Sequence, residues 1–123
     1  MKGALGLIET LGLTAAVTAL DAAAKTADVT LLGVDKVIGV GGAISVTLHM
    51  EGEVAAVQAA VEAGVASAKR VGVVAASLVI PRPHDELGGL VEKFAQNLKK
   101  TKDPKDNRES QAHKTEEIEE EKQ

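Results

Sequence analysis

Several residue types are missing or scarce in this chain of 123 residues, and each absence excludes a class of protein. There is no cysteine, which excludes disulfides, thiol nucleophiles and cysteine-based metal sites. The chain has one phenylalanine and neither tyrosine nor tryptophan, whereas single-stranded nucleic-acid sites combine stacking aromatics with a basic groove. The net charge is −4, and basic residues form no dense patch before residue 99. We therefore expect no nucleic-acid partner.

Long apolar runs are also absent. No stretch approaches the roughly 20 apolar residues that a membrane-spanning helix needs. The apolar residues near the N-terminus stop at Glu9 and are too few for the apolar region of a signal peptide. We therefore expect no membrane association and a cytoplasmic location, which suits a chain without cysteine.

The residues that are present divide the chain into two unequal parts. Residues 1–98 hold nearly all the apolar side chains, and many of these are the small ones of alanine, glycine and valine. Residues 99–123 contain seven basic and eight acidic residues, with only Ala112 and Ile118 apolar. We expect a folded domain over residues 1–87, a C-terminal amphipathic helix over 88–98, and a charged, disordered tail over 99–123. The small side chains of the domain hint that it buries further surface against copies of itself.

The hydrophobic periodicity predicts the element order βαββαβ. Strands are expected over residues 4–9, 29–34, 44–51 and 73–80, with an amphipathic helix after the first strand, another after the third, and a short one after the fourth. Thr10 is a candidate N-cap for the first helix. This order indicates an α+β, ferredoxin-like fold, in which an antiparallel sheet carries helices on one face, with the short C-terminal helix added.

Four stretches, in this order, resemble hexamer-forming shell proteins of bacterial microcompartments, the BMC domain family. Residues 5–12 read LGLIETLG, and residues 21–28 form a helix end that contains Lys25. Residues 52–57 read GEVAAV and are followed by EAG, and residues 79–84 read VIPRPH. The resemblance covers about residues 3–87.

The resemblance implies a structural protein rather than an enzyme, with no catalytic residues, cofactor or metal. Family members form cyclic homo-hexamers with a central pore, and these hexamers pack against neighbouring hexamers and other shell proteins around encapsulated enzymes. The expected location is therefore a microcompartment shell in the cytoplasm. The ending from Pro81 to His84 is more similar to shell proteins of catabolic metabolosomes than to those of carboxysomes.

The same resemblance implies that three residues make contacts at the hexamer edge: Lys25, Arg82 and His84. The long stem of Lys25 can lie along a neighbour while its ammonium reaches backbone carbonyls. Arg82 lies between two prolines that restrict the local backbone, and its planar group of donors suits backbone carbonyls. Ordinary solvated side chains are the alternative interpretation of all three.

A glycine-rich stretch between the second and third strands is the candidate pore lining, with Gly39, Val40, Gly41, Gly42 and Ala43 as its residues. A strand rather than a helix follows it, so it is not a dinucleotide-binding fingerprint, and it lacks the Gly-Lys-Ser/Thr of a P-loop. In the family this loop surrounds the sixfold axis. Here it is longer than the family pattern and has no serine between the glycines. An ordinary glycine-rich hairpin is the alternative.

The polar residues of the core suggest no reaction. His49 alternates onto the polar face of its strand and is expected to be exposed or at an interface, and the three histidines do not match a metal-ligand spacing. The alternative function is a ferredoxin-like small-molecule-binding regulatory protein, which would also oligomerise and could hold an anion or nucleotide in its glycine-rich loop.

Overall fold

A computed structural model describes residues 3–39 and 42–100. The elements are, in chain order, β1 (Ala4–Leu11), α1 (Leu13–Thr26), β2 (Thr30–Ile38), β3 (Ile44–Gly52), α2 (Val54–Lys69), β4 (Val74–Ile80) and α3 (Leu87–Lys100). The four strands form one sheet in the order β2-β3-β1-β4, and every neighbouring pair is antiparallel. The predicted α+β, ferredoxin-like class is confirmed. The predicted tail over 99–123 lies outside the described residues beyond Lys100.

One face of the sheet packs against α1 and α2 through an unusually close contact. Gly6 of β1 lies under α2, where an added Cβ atom would be 2.8 Å from a methyl carbon of Val57. Gly64 of α2 lies between β1 and α1, where a Cβ atom would be 2.8 Å from Cδ1 of Ile8 and 2.9 Å from the carbonyl oxygen of Ala19. Real Cβ atoms do not come this close to other heavy atoms, so these two positions require glycine for lack of space.

The rest of this core is made of small and medium side chains. Its fully or nearly buried apolar residues from the strands are Ala4, Ile8, Val46, Leu48 and Met50, and those from the two helices are Ala15, Ala16, Ala19, Ala23, Val57, Ala60, Val61 and Ala68. The alanines of α1 let that helix lie close to α2 and the sheet. The composition of the sequence thus translates directly into a thin core.

The third helix packs against the opposite face of the sheet, over β2 and β3. Val46, Leu48 and Met50 of β3 point into the core under α1 and α2, so the alternating residue His49 points to the other side. Its ring lies 4.5 Å, between centroids, from the ring of Phe94 in α3. Gly33 of β2 pairs with His49, and a Cβ atom there would be 2.7 Å from the carbonyl carbon of Phe94. This helix therefore seats closely on the sheet.

Three local expectations from the sequence need correction. His49 is only 7% exposed, because α3 covers the face to which it points, so the expectation of an exposed side chain is wrong. Thr10 is buried inside β1 and its hydroxyl donates to the carbonyl of Gly12, while Gly12 itself is the N-cap of α1 with φ of 86°, a region that favours glycine. The second strand runs on to Ile38, because its ladder with β3 continues to the Ile38–Ile44 pair.

Filling the space at Gly64 should destabilise the fold. We expect Gly64→Val to lower the free energy of unfolding by about 1–3 kcal/mol, because the added atoms have no room between Ile8 and Ala19. Urea denaturation followed by circular dichroism measures this loss. Gly88→Val is the matched control, since a Cβ atom at Gly88 meets nothing within 4 Å. Equal stability of the two variants would contradict this account of the core.

Candidate functional site

The β2–β3 hairpin ends in the glycine-rich loop that the sequence singles out. The N–H of Gly39 donates to the carbonyl of Ala43 at 2.7 Å, and the N–H of Gly42 donates to the carbonyl of Gly39 at 3.3 Å. Gly42 has φ of 79°, so this turn favours glycine at that position. Gly39, Gly42 and Ala43 are all exposed, whereas Val40 and Gly41 lie outside the described residues. The loop is a short, projecting turn whose described residues bring backbone and small side chains to the surface.

Large apolar side chains are exposed at the end of the sheet where β2 and β3 run into this loop. We call this surface the apolar end; it consists of Leu11, Leu13, Ile38, Ile44, Val71 and Val73, which are 43–77% exposed. Backbone hydrogen bonds hold it together: the N–H of Gly12 donates to the carbonyl of Ile44 at 2.7 Å, and the N–H of Leu11 donates to the carbonyl of Val73 at 3.0 Å. The ends of several elements thus meet in one place. A soluble protein that leaves such a surface uncovered usually binds another protein there.

Sequence reasoning did not single out the apolar end. These residues belong to different segments, and each one fits the pattern of its own strand or helix boundary. The only signal in the sequence was the general one that a domain built from small side chains gains by association.

Lys25 lies near the C-terminal end of α1, on its exposed side. Its Nζ is 2.9 Å from Oδ2 of Asp21, one helical turn earlier, and the two side chains are 75% and 60% exposed. An acid four residues before a base is the favourable order for such a pair on a helix. An exposed pair contributes little to stability, about 0–1 kcal/mol. The contact therefore does more to direct the lysine stem along the helix surface than to hold the fold together.

Arg82 follows β4 at a bend that is anchored on one side. Pro83 is buried, while Pro81 and Arg82 are exposed. The proline rings restrict the backbone on both sides of the arginine. Arg82 forms no ion pair with another described residue.

His84 is exposed and makes a local backbone contact. Its Nδ1 accepts a hydrogen bond from the N–H of Glu86 at 3.2 Å, and its carbonyl accepts one from the N–H of Leu87 at 3.0 Å. The residue therefore shapes the turn that leads into α3.

Residues 3–39 and 42–100 contain no group of three or more His, Asp or Glu side chains that could hold a metal ion. Burial lowers the pKa of His49 from the ordinary 6.5, and the negative charge of Asp35 opposes this effect. No helix in the described ranges is both long and apolar enough to cross a membrane.

The BMC domain model matches residues 4–83 of this chain. The chain is 48% identical over 90 residues to the bacterial microcompartment shell protein PduA of Citrobacter freundii, covering 73% of this chain and 92% of the relative. It is 47% identical over 96 residues to the shell protein EutM of Escherichia coli K12, covering 78% and 92%. It is 49% identical over 89 residues to the carboxysome shell protein CcmK2 of Synechococcus elongatus, covering 71% and 83%.

A solved structure indicates the same family. A microcompartment protein from Desulfitobacterium hafniense superposes with a TM-score of 0.61 at 40% identity, over 72% of this chain and 48% of that one. The relatives are shell proteins by name, and shell proteins of this family are structural rather than enzymatic. The match of the family model, over the whole sheet and its two covering helices, confirms the family that the sequence motifs indicated. The chain belongs to the BMC domain family of bacterial microcompartment shell proteins.

Proposed function

We propose that this chain is a structural tile that forms cyclic homo-hexamers, which pack with neighbouring hexamers and other shell proteins into a microcompartment shell around enzymes in the cytoplasm. Residues 1–87 form the shell domain in this proposal. The observation that carries it is the apolar end, whose exposed side chains need a partner that a single chain does not supply.

A cyclic hexamer needs two different contact surfaces on each chain, and exposed apolar side chains are present on more than one side. In a closed ring each copy uses one surface to contact the next copy and a different surface to contact the previous one. The apolar end supplies one such surface at the ends of β1, β3 and the segment before β4. Val17 of α1 and Leu78 of β4, which are 56% and 54% exposed, offer apolar area on other sides of the same chain.

The hairpin loop belongs at the sixfold axis in this assembly. Six copies of a turn built from Gly39, Gly42 and Ala43 can approach closely, because little or no side chain separates them. Gly41 belongs to the same glycine-rich stretch of the sequence, and Val40 or Ala43 would form an apolar collar in this proposal. A pore lined by backbone amides and such a collar would favour small, uncharged or weakly polar metabolites over hydrated ions.

The hexamer edge in this proposal consists of Lys25, Arg82 and His84, which are all exposed. Lys25 lies along its own helix in contact with Asp21, and the flanking prolines restrict the backbone at Arg82. The donors of Lys25 and Arg82 suit backbone carbonyls of a neighbouring tile.

A charge placed in the apolar end should break the ring without unfolding the chain. We expect Ile44→Asp to shift the oligomer to monomers, because the carboxylate would be desolvated against apolar side chains of the next copy. Analytical ultracentrifugation measures the mass, and circular dichroism checks the fold. Gln58→Asp, at an exposed position of α2, is the control. An intact hexamer in Ile44→Asp would show that the apolar end is not the subunit interface.

Loss of the edge lysine should affect the packing of hexamers into sheets rather than the formation of the hexamer. We expect Lys25→Ala to abolish hexagonal sheets seen by electron microscopy while the hexamer mass is unchanged, because each edge contact is repeated around every tile. Lys69→Ala removes a lysine from the end of the other long helix and serves as the control. Sheets that persist in Lys25→Ala would mean that Lys25 is only a solvated residue.

The assignment of the loop to the pore is tested by a larger side chain that would narrow the opening. We choose Ala43→Leu, because Gly42 has a backbone conformation that a larger residue would strain. Six added side chains should reduce the flux of a small metabolite into shells built only from this tile. The control Ala66→Leu makes the same change at an exposed position of α2. Equal flux through both kinds of shell would show that this loop does not line the path.

A further inference from the structure

The contact between α3 and the sheet contains a buried histidine with no hydrogen-bond partner. His49 is 7% exposed, and neither Nδ1 nor Nε2 has a partner among the described residues. Its ring lies against Phe94 with an angle of 30° between the ring planes. We propose that α3 is an acid-sensitive arm, which is docked on the sheet while His49 is neutral and is released when His49 takes up a proton.

The chemistry of the pocket favours the neutral ring. A neutral imidazole has one donor and one acceptor and can lie against an aromatic ring at modest cost. An imidazolium has two N–H donors and a full charge, and the site offers neither acceptor nor water contact to them. Both ring nitrogens of His49 are buried while α3 is docked, and Gly33 lets the backbone of α3 approach β2 closely beside them.

The nearby negative charge of Asp35 opposes the effect of burial on the pKa of His49 but does not cancel it. The charged side chains on the elements around His49 are Asp35 of β2, Glu51 of β3, Glu9 of β1, and Glu92 and Lys93 of α3. Glu92 and Lys93 are exposed, and Glu9 accepts a hydrogen bond from the hydroxyl of Ser45. Only the field of Asp35 raises the pKa of His49, and desolvation is the larger influence, so the pKa stays below 6.5.

The direction of the pH effect follows from this shift. In the docked state His49 binds a proton less readily than it does once α3 has left and water reaches the ring. The undocked state therefore takes up more protons as the pH falls. Docking of α3 is at full strength above the ordinary pKa of 6.5, and it weakens as the pH falls below that value.

Helix α3 lies close to the sheet, but among its described side chains only that of Val91 is buried, which suits it to such release. Val91 is 8% exposed and Phe94 is partly buried, whereas Leu90 is 49% exposed and the described residues between them and beyond are largely on the surface. Secondary elements with few buried contacts open locally at a low cost in free energy.

Hydrogen–deuterium exchange of the full chain tests the proposal. Protection factors, corrected for the intrinsic pH dependence of exchange, are measured for the amides of α3 at about pH 8 and about pH 5, with α2 as the internal reference. We expect α3 to lose protection at low pH, by up to about tenfold for each unit by which the pKa of His49 lies below its ordinary value, while α2 stays unchanged. Equal protection of α3 at both pH values would overturn the proposal.

Variants identify the residue responsible. His49→Leu and His49→Gln both remove the titrating group, one with an apolar and one with a polar side chain, and either should flatten the pH dependence of α3. A dependence that persists unchanged in both would overturn the role of His49. Gly33→Ala should displace α3 from the sheet at every pH, because the added methyl group has no room. It therefore gives the exchange protection of α3 in the fully released state. The oligomer mass at each pH is a separate measurement, so a failed hexamer and a failed switch are distinguishable.

Discussion

The close packing of α2 on β1 and α1 is the constraint on which the rest of the structure depends. Gly6 and Gly64 leave no room for even a Cβ atom, because Val57 fills the space beside Gly6 and Ile8 the space beside Gly64. This contact sets the distance between the helices and the sheet, and the alanines of α1 are a consequence of it. A core made this thin buries little apolar area for each residue, so the domain has more to gain from burial outside its own core than a domain with large side chains does.

Several of the exposed large apolar side chains lie at one end of the sheet. Backbone hydrogen bonds join Leu11, Gly12, Ile44 and Val73 at one end of the sheet, and large apolar side chains project from the same end. The glycine-rich hairpin leaves from there as well. In the proposed ring, the same few strand ends therefore set both the contact between copies and the position of the loop at the axis. A substitution that alters the contact would also shift the loop.

The sequence predicted the architecture well because its periodicities are clear. The alternation from Ile44 to Glu51 identified β3, and the motifs from residue 5 to residue 84 identified the family. The local failures have physical reasons. Alternation shows that His49 points away from the main core, but it does not show that α3 covers that second face. Thr10 has the chemistry of an N-cap, yet the strand continues through it and the cap falls to Gly12. Sequence motifs pointed to Lys25, Arg82 and the loop but not to the apolar end, which exists only once separate segments meet in space.

The central claim is that the exposed end of the sheet is completed by further copies of the same chain in a closed ring. The most direct measurement is the native mass of the unmodified full-length protein in solution, taken by native mass spectrometry over a range of concentrations. The account predicts a species of six chains that persists on dilution. A stable monomer or dimer across the whole range would contradict it.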